Sequence, residues 1–167
     1  MKRSPWNLAC LALVASLAAG APAHAGSSAA FDKLKSLAGE WQGKASDGKS
    51  VKVSYEVVSS GTAVLEKLET PSEMNMVTVY HPDGDRLMLT HYCAASNQPR
   101  MKAEPTAGDP KRLVFTYVDA TNLSGPNASH MHGLTLTFDD PDHFGQEWTW
   151  KEPGKENKEV FRFERKK

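Results

Sequence analysis

Two pairs of side chains that can bind metal ions recur at a spacing of two residues: His91 with Cys93, and His130 with His132. On a β-strand, residues two apart lie on the same face, about 7 Å from each other. Each pair can therefore supply two ligands to one ion, and imidazole with thiolate suits zinc. The pattern allows a zinc or haem site built from His91, His130 and His132. The alternative is that these histidines only hydrogen-bond to neighbours or water.

Cys93 and Arg100 offer further chemistry near the first pair. A lone cysteine on an apolar face is usually a small buried hydrophobe, although beside a histidine it can act as a nucleophile. The sequence contains no nucleophile elbow or oxyanion-hole pattern, so it names no catalytic residue and favours a non-enzymatic function. Arg100 ends the polar segment 97–100, where it can meet an anionic head group with a bidentate contact. The alternative is that this segment only ties down its own backbone.

Tyr55 and Glu66 form another candidate pair. A turn at Ser60-Gly61 sets Tyr55 opposite Glu66, with both side chains facing the interior. An acid among aliphatic residues is unfavourable unless it is hydrogen-bonded or protonated, so the register predicts a Tyr55–Glu66 hydrogen bond. The alternative is that this strand lies at an edge or carries a bulge, and that Glu66 is solvated.

The histidine and cysteine at positions 91 and 93 are positioned by a hairpin. Two apolar runs flank Pro82-Asp83-Gly84, which is typical of a three-residue turn. This turn predicts that Val79 faces Leu87 and that Val77 faces Leu89. These four residues, with His91 and Cys93, are then expected on the core face.

A second hairpin positions the other two histidines around the acidic turn 139–142. The register that buries the most apolar area puts Leu134, Leu136 and Phe138 on the same side as Phe144, Trp148 and Trp150. It also directs His130, His132 and Gln146 inward, and leaves Glu147 outside.

The remaining chain reads as short alternating segments separated by turn residues. The spacing Phe31, Leu34, Leu37 predicts a short helix over 31–38, stopped by Gly39. The ten predicted strands cover approximately 40–46, 50–59, 62–69, 75–81, 85–93, 99–105, 111–118, 129–138, 143–151 and 157–165. Ten short strands with short links predict an all-β fold, a single antiparallel up-and-down barrel whose closure removes exposed edges.

Successive loops of such a meander alternate between the two ends of the barrel. One end collects tight turns and the helix, which is expected to plug it. The other end collects the loops near 47–49, 70–74, 94–98, 119–128 and 152–156, and the length of 119–128 is typical of a functional connection. The expected ligand-binding residues, most of them near this open end, are His91, Cys93, Tyr55, Glu66, Arg100, His130, His132, Trp148 and Trp150.

The N-terminus predicts export. Lys2 and Arg3 precede the apolar run LACLALVASLAAG, and Ala23-His24-Ala25 is typical of a cleavage site, so residues 1–25 are expected to be a signal peptide cleaved after Ala25. Residues 26–30 are expected to be flexible and residues 31–167 to form the barrel domain. The predicted location is periplasmic or secreted.

Composition excludes several partners. Lys2 and Arg3 account for two of the 20 basic residues, which leaves 18 against 20 acidic residues and no basic cluster. This balance gives no electrostatic reason to expect nucleic acid or an anionic membrane as a partner. Beyond the signal peptide no stretch is expected to span a bilayer. Cys93 is the only cysteine after it, so no internal disulfide is expected.

Gly39-Glu40-Trp41, after a short helix, resembles the Gly-x-Trp opening of lipocalins and related calycin barrels, in which the Trp packs across the closed end. The segments MVTVYHPDGDRLMLTHYCAASNQPRM, HMHGLTLTF and DHFGQEWTW are similar to a family of exported bacterial proteins described only as lipocalin-like. A more remote similarity is to nitrobindin-like haem barrels.

The resemblance implies the calycin fold and binding or carrying of a small apolar or amphipathic molecule inside the barrel. Two alternatives stay open. One is a metal- or haem-binding barrel, or an enzyme, that uses His91, His130 and His132. The other is a structural domain whose interior is filled by its own side chains.

Overall fold

The computed structural model describes residues 25–70, 74–105 and 108–167, which form one α-helix and ten antiparallel strands. The elements in chain order are α1 (Ala25–Lys35), β1 (Gly39–Ala45), β2 (Ser50–Val58), β3 (Ala63–Glu69), β4 (Met76–Asp83), β5 (Arg86–Tyr92), β6 (Gln98–Ala103), β7 (Arg112–Thr121), β8 (His130–Asp140), β9 (His143–Glu152) and β10 (Lys155–Arg165). Residues 1–24, which hold nearly all of the predicted signal peptide, lie outside the described residues. Residues 71–73 of the predicted loop 70–74 do so as well, as do residues 106 and 107 between the sixth and seventh predicted strands.

The sheet closes on itself. Each strand pairs with its sequence neighbours, and β1 pairs with β10, so that Trp41 lies opposite Arg165 and Ala45 opposite Phe161. Closure gives every strand two partners and leaves no edge with unpaired backbone groups. The predicted single antiparallel up-and-down barrel of ten strands is confirmed. Among the described residues, no helix is long and apolar enough to cross a bilayer.

The helix α1 closes one end of this barrel. Phe31 and Leu34 are buried in the core, and the Lys33 ammonium pairs with Asp109 in a loop at the same end. The helix runs from Ala25 to Lys35, whereas the sequence predicted residues 31–38. It therefore includes residues 26–30, which were assigned to a flexible segment. Alanine favours helix, and Ala30 is itself buried, which accounts for the earlier start.

The tryptophan of the Gly-x-Trp segment is fixed beneath the helix. Trp41 is buried and its indole Nε1–H donates to the Leu37 carbonyl at 2.7 Å. The Arg165 guanidinium stacks 4.1 Å above the Trp41 ring and donates to the carbonyls of Ser36 and Ala38 at 2.9 and 3.0 Å. The first strand, the last strand and the end of the helix are therefore joined at the closed end.

The observed register of β4 and β5 differs by three residues from the predicted one, because Val79 lies opposite Thr90 rather than Leu87. The predicted turn had three residues, 82–84, whereas the observed turn has two, Gly84 and Asp85, between the paired Asp83 and Arg86. Gly84 has φ of 61°, which glycine adopts without steric penalty. Two-residue hairpin turns with glycine at the first position are common because their twist matches that of the strands.

The changed register reverses the two faces of β4. Thr78 and Tyr80 are buried inside the barrel, while Val77 and Val79 are half-buried on the other face. The prediction that the two valines face the core is therefore wrong. At this level the interior contains Glu66, and a buried carboxyl group needs hydrogen-bond donors more than it needs aliphatic neighbours.

The other two predicted registers are largely confirmed. Tyr55 pairs with Glu66 across β2 and β3, although a four-residue loop, 59–62, makes the connection. Leu134 pairs with Trp148 across β8 and β9. A bulge at His132 then shifts this ladder, so that Met131 pairs with Trp150 and packs against the core.

Candidate functional site

A cavity of about 460 Å³ opens at the end of the barrel away from α1. Strand β1 begins beside the helix and ends at Ala45, which lines this cavity together with the loops that follow β1 and β3. Most of its wall is apolar, formed by Ala45, Val51, Leu68, Met74, Met76, Met131, Trp148 and Phe161. The open end of the barrel therefore contains a hydrophobic space rather than a filled core.

The mouth of the cavity carries charges of both signs. Asp47, Lys49 and Glu159 lie there, and the Lys49 ammonium is 2.6 Å from the Asp47 carboxylate. Hydrogen bonding to Lys49 lowers the pKa of Asp47, and the same bond raises that of Lys49. Such solvated pairs contribute little to stability. Their effect is to make a polar rim above an apolar interior.

A buried hydrogen-bond network centred on Glu66 fills the middle of the barrel. One carboxyl oxygen, Oε2, accepts from the Tyr55 hydroxyl at 2.7 Å, from the Tyr80 hydroxyl at 2.7 Å and from the Gln146 amide at 2.9 Å. The other oxygen, Oε1, lies 3.4 Å from the Thr78 hydroxyl. Burial raises the pKa of Glu66, and these hydrogen bonds oppose that effect. The predicted Tyr55–Glu66 hydrogen bond is confirmed.

The orientation of the network is set by an indole group in the cavity wall. The Nε1–H of Trp148 can only donate, and it does so to the Gln146 Oε1 at 3.0 Å. The Gln146 amide nitrogen must then donate, and it lies 2.8 Å from the Tyr55 hydroxyl oxygen and 2.9 Å from Glu66. The Tyr55 proton is thus directed to Glu66. The indole therefore fixes which end of the Gln146 amide is the oxygen and which is the nitrogen. Through this amide the network connects the cavity wall to the buried Glu66.

His91 joins this network to the cavity. It is 1% exposed, lines the cavity, and its ring centroid lies 4.6 Å from that of Trp148. Nδ1 is 3.0 Å from the Thr78 hydroxyl, whereas Nε2 is buried and has no hydrogen-bond partner among the described residues. Burial lowers the pKa of His91 from 6.5 to about 4, so the ring is neutral near pH 7.

His130 and His132 form a separate cluster against Tyr117. The Tyr117 ring lies 4.7 Å from each imidazole. His130 donates from Nδ1 to the Ala128 carbonyl at 2.8 Å, so its Nε2 accepts from His132 Nδ1 at 3.1 Å. Burial, together with the charges of Lys151 and His130, lowers the pKa of His132. Neither ring is among the described residues that line the cavity.

The metal hypothesis gains no support from this arrangement. His91 contacts Thr78 and Trp148, whereas His130 and His132 contact Tyr117. In the described part of the chain, no group of three or more His, Cys, Asp or Glu side chains is arranged to hold an ion. A zinc or haem site remains a prediction from the sequence.

Three other candidate residues are engaged elsewhere. Cys93 is half-buried after β5, and burial raises the pKa of its thiol, which disfavours the thiolate that a nucleophile needs. Arg100 makes a bidentate contact with Asp119, with Nε 2.6 Å from Oδ1. The Trp150 Nε1–H donates to Glu152 at 2.8 Å. None of the three is among the described residues that line the cavity.

The sequence analysis missed several residues of the site. Because Val77 and Val79 were expected on the core face, alternation put Thr78 and Tyr80 on the outer face, although both contact Glu66. The inward position of Glu66 could have indicated Thr78 and Tyr80, because a buried carboxyl group needs more hydrogen-bond donors than Tyr55 alone supplies. Met131 was also missed, since the bulge that turns it inward leaves no mark in the sequence.

No protein-family model and no curated protein matches this chain. Solved structures that resemble it include one titled "Structure of EF1p2_mFAP2b bound to DFHBI", which is 10% identical. The match covers 81% of this chain and 98% of that chain, with a TM-score of 0.40. A likeness of this degree carries no information on activity, and membership of a lipocalin-like family stays a prediction.

Proposed function

We propose that this protein binds or carries a small apolar or amphipathic molecule in the cavity of its barrel. The observation that carries the proposal is the cavity of about 460 Å³ with an apolar wall, open at one end. Small-molecule sites usually have volumes of about 300–1,000 Å³ and combine apolar walls with a few placed polar groups. The cavity matches this description in size and in composition.

The distribution of polarity favours an amphipathic or weakly polar molecule. Leu68, Trp148 and Phe161 can cover an apolar body, and removal of apolar surface from water favours binding. Asp47, Lys49 and Glu159 at the mouth can stay solvated beside a polar end of the ligand. Binding therefore requires no charged group to be buried without a partner.

As part of the same proposal, the protein is located in the periplasm or is secreted. The basic residues, apolar run and small residues of positions 1–25 support export, with the barrel acting in the periplasm or after secretion. A carrier of apolar molecules is useful in such a compartment, because these molecules dissolve poorly in water.

Titration with Nile red, a neutral dye whose fluorescence rises in apolar surroundings, tests the proposal. Ala45 and Lys44 are neighbours on β1, but Ala45 lines the cavity and Lys44 is exposed on the outer face. Ala45→Phe fills the mouth of the cavity and is expected to weaken dye binding at least about tenfold. Lys44→Phe adds the same side chain outside and should leave the affinity unchanged.

Equal affinities in the two variants would place the dye on the outer surface and refute the proposal. A second measurement uses heat. A ligand present at about 100 times its Kd stabilises the folded state by about 2.7 kcal/mol, which raises the melting temperature by several degrees. The Ala45→Phe protein should lose this increase, and the Lys44→Phe protein should keep it.

A further inference from the structure

The unpaired nitrogen of His91 is a feature that the apolar wall does not explain. Nε2 is buried without a hydrogen-bond partner among the described residues, in a side chain that lines the cavity. Its nearest aromatic neighbour, Trp148, already uses its N–H on Gln146. Buried polar atoms are nearly always paired, so an unpaired one in the wall of a binding cavity points to a partner outside the chain.

The kind of partner depends on which ring nitrogen carries the proton, and that is set through Thr78. The Thr78 hydroxyl has one proton and two neighbours, Glu66 Oε1 at 3.4 Å and His91 Nδ1 at 3.0 Å. If the proton points to Glu66, the Thr78 oxygen accepts from His91 Nδ1–H and Nε2 is an acceptor. If it points to His91, Nε2 carries the proton instead.

The charge on Glu66 decides between these arrangements. Three donors already converge on Oε2, so an acid proton could sit only on Oε1. Hydrogen bonds from three donors to one oxygen favour the charged form of a carboxyl group, and the Thr78 hydroxyl, 3.4 Å from Oε1, lies where its dipole can point to that charge. Glu66 is therefore a carboxylate, and a carboxylate with several short hydrogen bonds is well stabilised.

A negative Glu66 orients both dipoles that lead to the cavity. With the Thr78 proton directed toward Glu66 and the His91 Nδ1–H directed toward Thr78, each positive end points to the charge. If the Thr78 proton pointed to His91 instead, the Thr78 hydroxyl oxygen and Glu66 Oε1 would face each other with lone pairs and no proton between them. Among the described residues of the network, the lone pair on His91 Nε2 is then the one group without a partner, and it can interact with a ligand.

We infer that the cavity selects neutral molecules with an apolar body and one hydroxyl group, and that this hydroxyl donates to Nε2 of His91. The inference rests on the proposed function and names the class of ligand. Carboxylates fit poorly, because they have no proton to donate near pH 7 and would approach the buried Glu66 charge. The flexible side chains of Met76 and Met131 line the same cavity and can move to admit the hydroxyl.

The test compares 1-naphthol with 1-methoxynaphthalene, which has the same ring system but no proton to donate. One net hydrogen bond predicts that the intact protein binds 1-naphthol about 5- to 10-fold more tightly at pH 7. In His91→Phe, which keeps a ring beside Trp148 but removes the acceptor, the two affinities should become equal. The readout is the ratio of the two affinities, because any effect of the substitution on binding of the shared ring system cancels in that ratio.

Nitrogen-resolved NMR of the imidazole rings provides a readout that needs no variant. The inference predicts that His91 in the free protein carries its proton on Nδ1. Thr78→Val removes the group that fixes this tautomer and should lower the ratio of the affinities for 1-naphthol and 1-methoxynaphthalene. Here Thr78 acts as a positioning residue, because it acts only through His91.

The outcomes separate the inference from the function on which it rests. If both compounds bind with equal affinity, or if the preference survives in His91→Phe, the inference is overturned while the proposed function stands. A proton on Nε2 overturns it as well. If neither compound binds although Nile red does, the inference is overturned and the proposed function stands; if Nile red does not bind either, the proposed function fails as well.

Discussion

Low pH should reduce the free energy of unfolding of this protein through protonation of His91, and substitution of His91 can measure this contribution. The ring is 1% exposed, and burial lowers its pKa in the folded state to about 4 from the usual 6.5. The unfolded chain therefore binds a proton more readily than the folded one between these two values. The stability that the neutral ring contributes is fully present above pH 6.5 and is lost as the pH falls toward 4.

The size of the effect follows from the two pKa values. Each tenfold difference in proton affinity corresponds to about 1.4 kcal/mol, so His91 accounts for about 3 kcal/mol in total, most of it lost by pH 4.5. This is a large fraction of the 5–15 kcal/mol that typically stabilises a domain. Glu66 acts in the opposite direction, because burial raises its pKa and favours the folded state as the pH falls.

Urea unfolding at pH 7.0 and 4.5 measures this contribution. The intact protein should lose more free energy of unfolding between the two conditions than His91→Phe does, by about 2–3 kcal/mol. Glu66 is present in both proteins, so its own opposing contribution cancels to first order in the difference. The matched control is His81→Phe on the exposed part of β4, which should keep the pH dependence of the intact protein. An identical loss in the intact protein and in His91→Phe would refute the claim that burial holds this ring neutral.

Two further predictions concern the core. A Cβ at Gly43 would lie 2.1 Å from the backbone oxygen of Arg162, whereas at Gly145 it would meet mainly the movable Arg162 side chain at 2.3 Å. Gly43→Ala should therefore destabilise the protein by about 2–3 kcal/mol in urea unfolding, and Gly145→Ala by less than about 1 kcal/mol. Tyr80→Phe removes one of the three donors to Glu66 Oε2 and should cost about 1.5–3 kcal/mol at pH 7. Burial raises the pKa of Glu66, so the group is more protonated at pH 4.5 and accepts a weaker hydrogen bond; the cost should therefore shrink, and an equal cost at both pH values would contradict protonation of Glu66 between them.

The strand pattern was predictable from the sequence because turn residues and alternation mark nearly every strand. Ser60-Gly61 was enough to fix Tyr55 opposite Glu66, since a hairpin turn sets the register of the strands that it joins. These features depend on local chemistry, which a sequence displays directly.

The site was less predictable because it depends on contacts between distant strands. Ranking faces by hydrophobicity chose Val77 and Val79 over Thr78 and Tyr80, yet the acid on the neighbouring strand required the polar face inside. The same ranking could not show that His91 would contact Trp148 rather than the histidines of β8. Periodicity identifies which residues share a face of a strand. Which face turns inward on β4 is decided by the hydrogen-bond donors that the buried Glu66 needs.

The bridge that Arg165 makes to Ser36 and Ala38 also bears on the order of folding. Arg165 and Ala38 are 127 positions apart, so this contact and the β1–β10 ladder need nearly the whole described chain to be in place. Loop closure over such a distance carries a large entropic cost, and contacts of this kind form late. Until then β1 and β9 are unpaired along one side and the cavity has no complete wall. The final strand therefore controls when the nascent protein stops exposing edges that can pair with other chains.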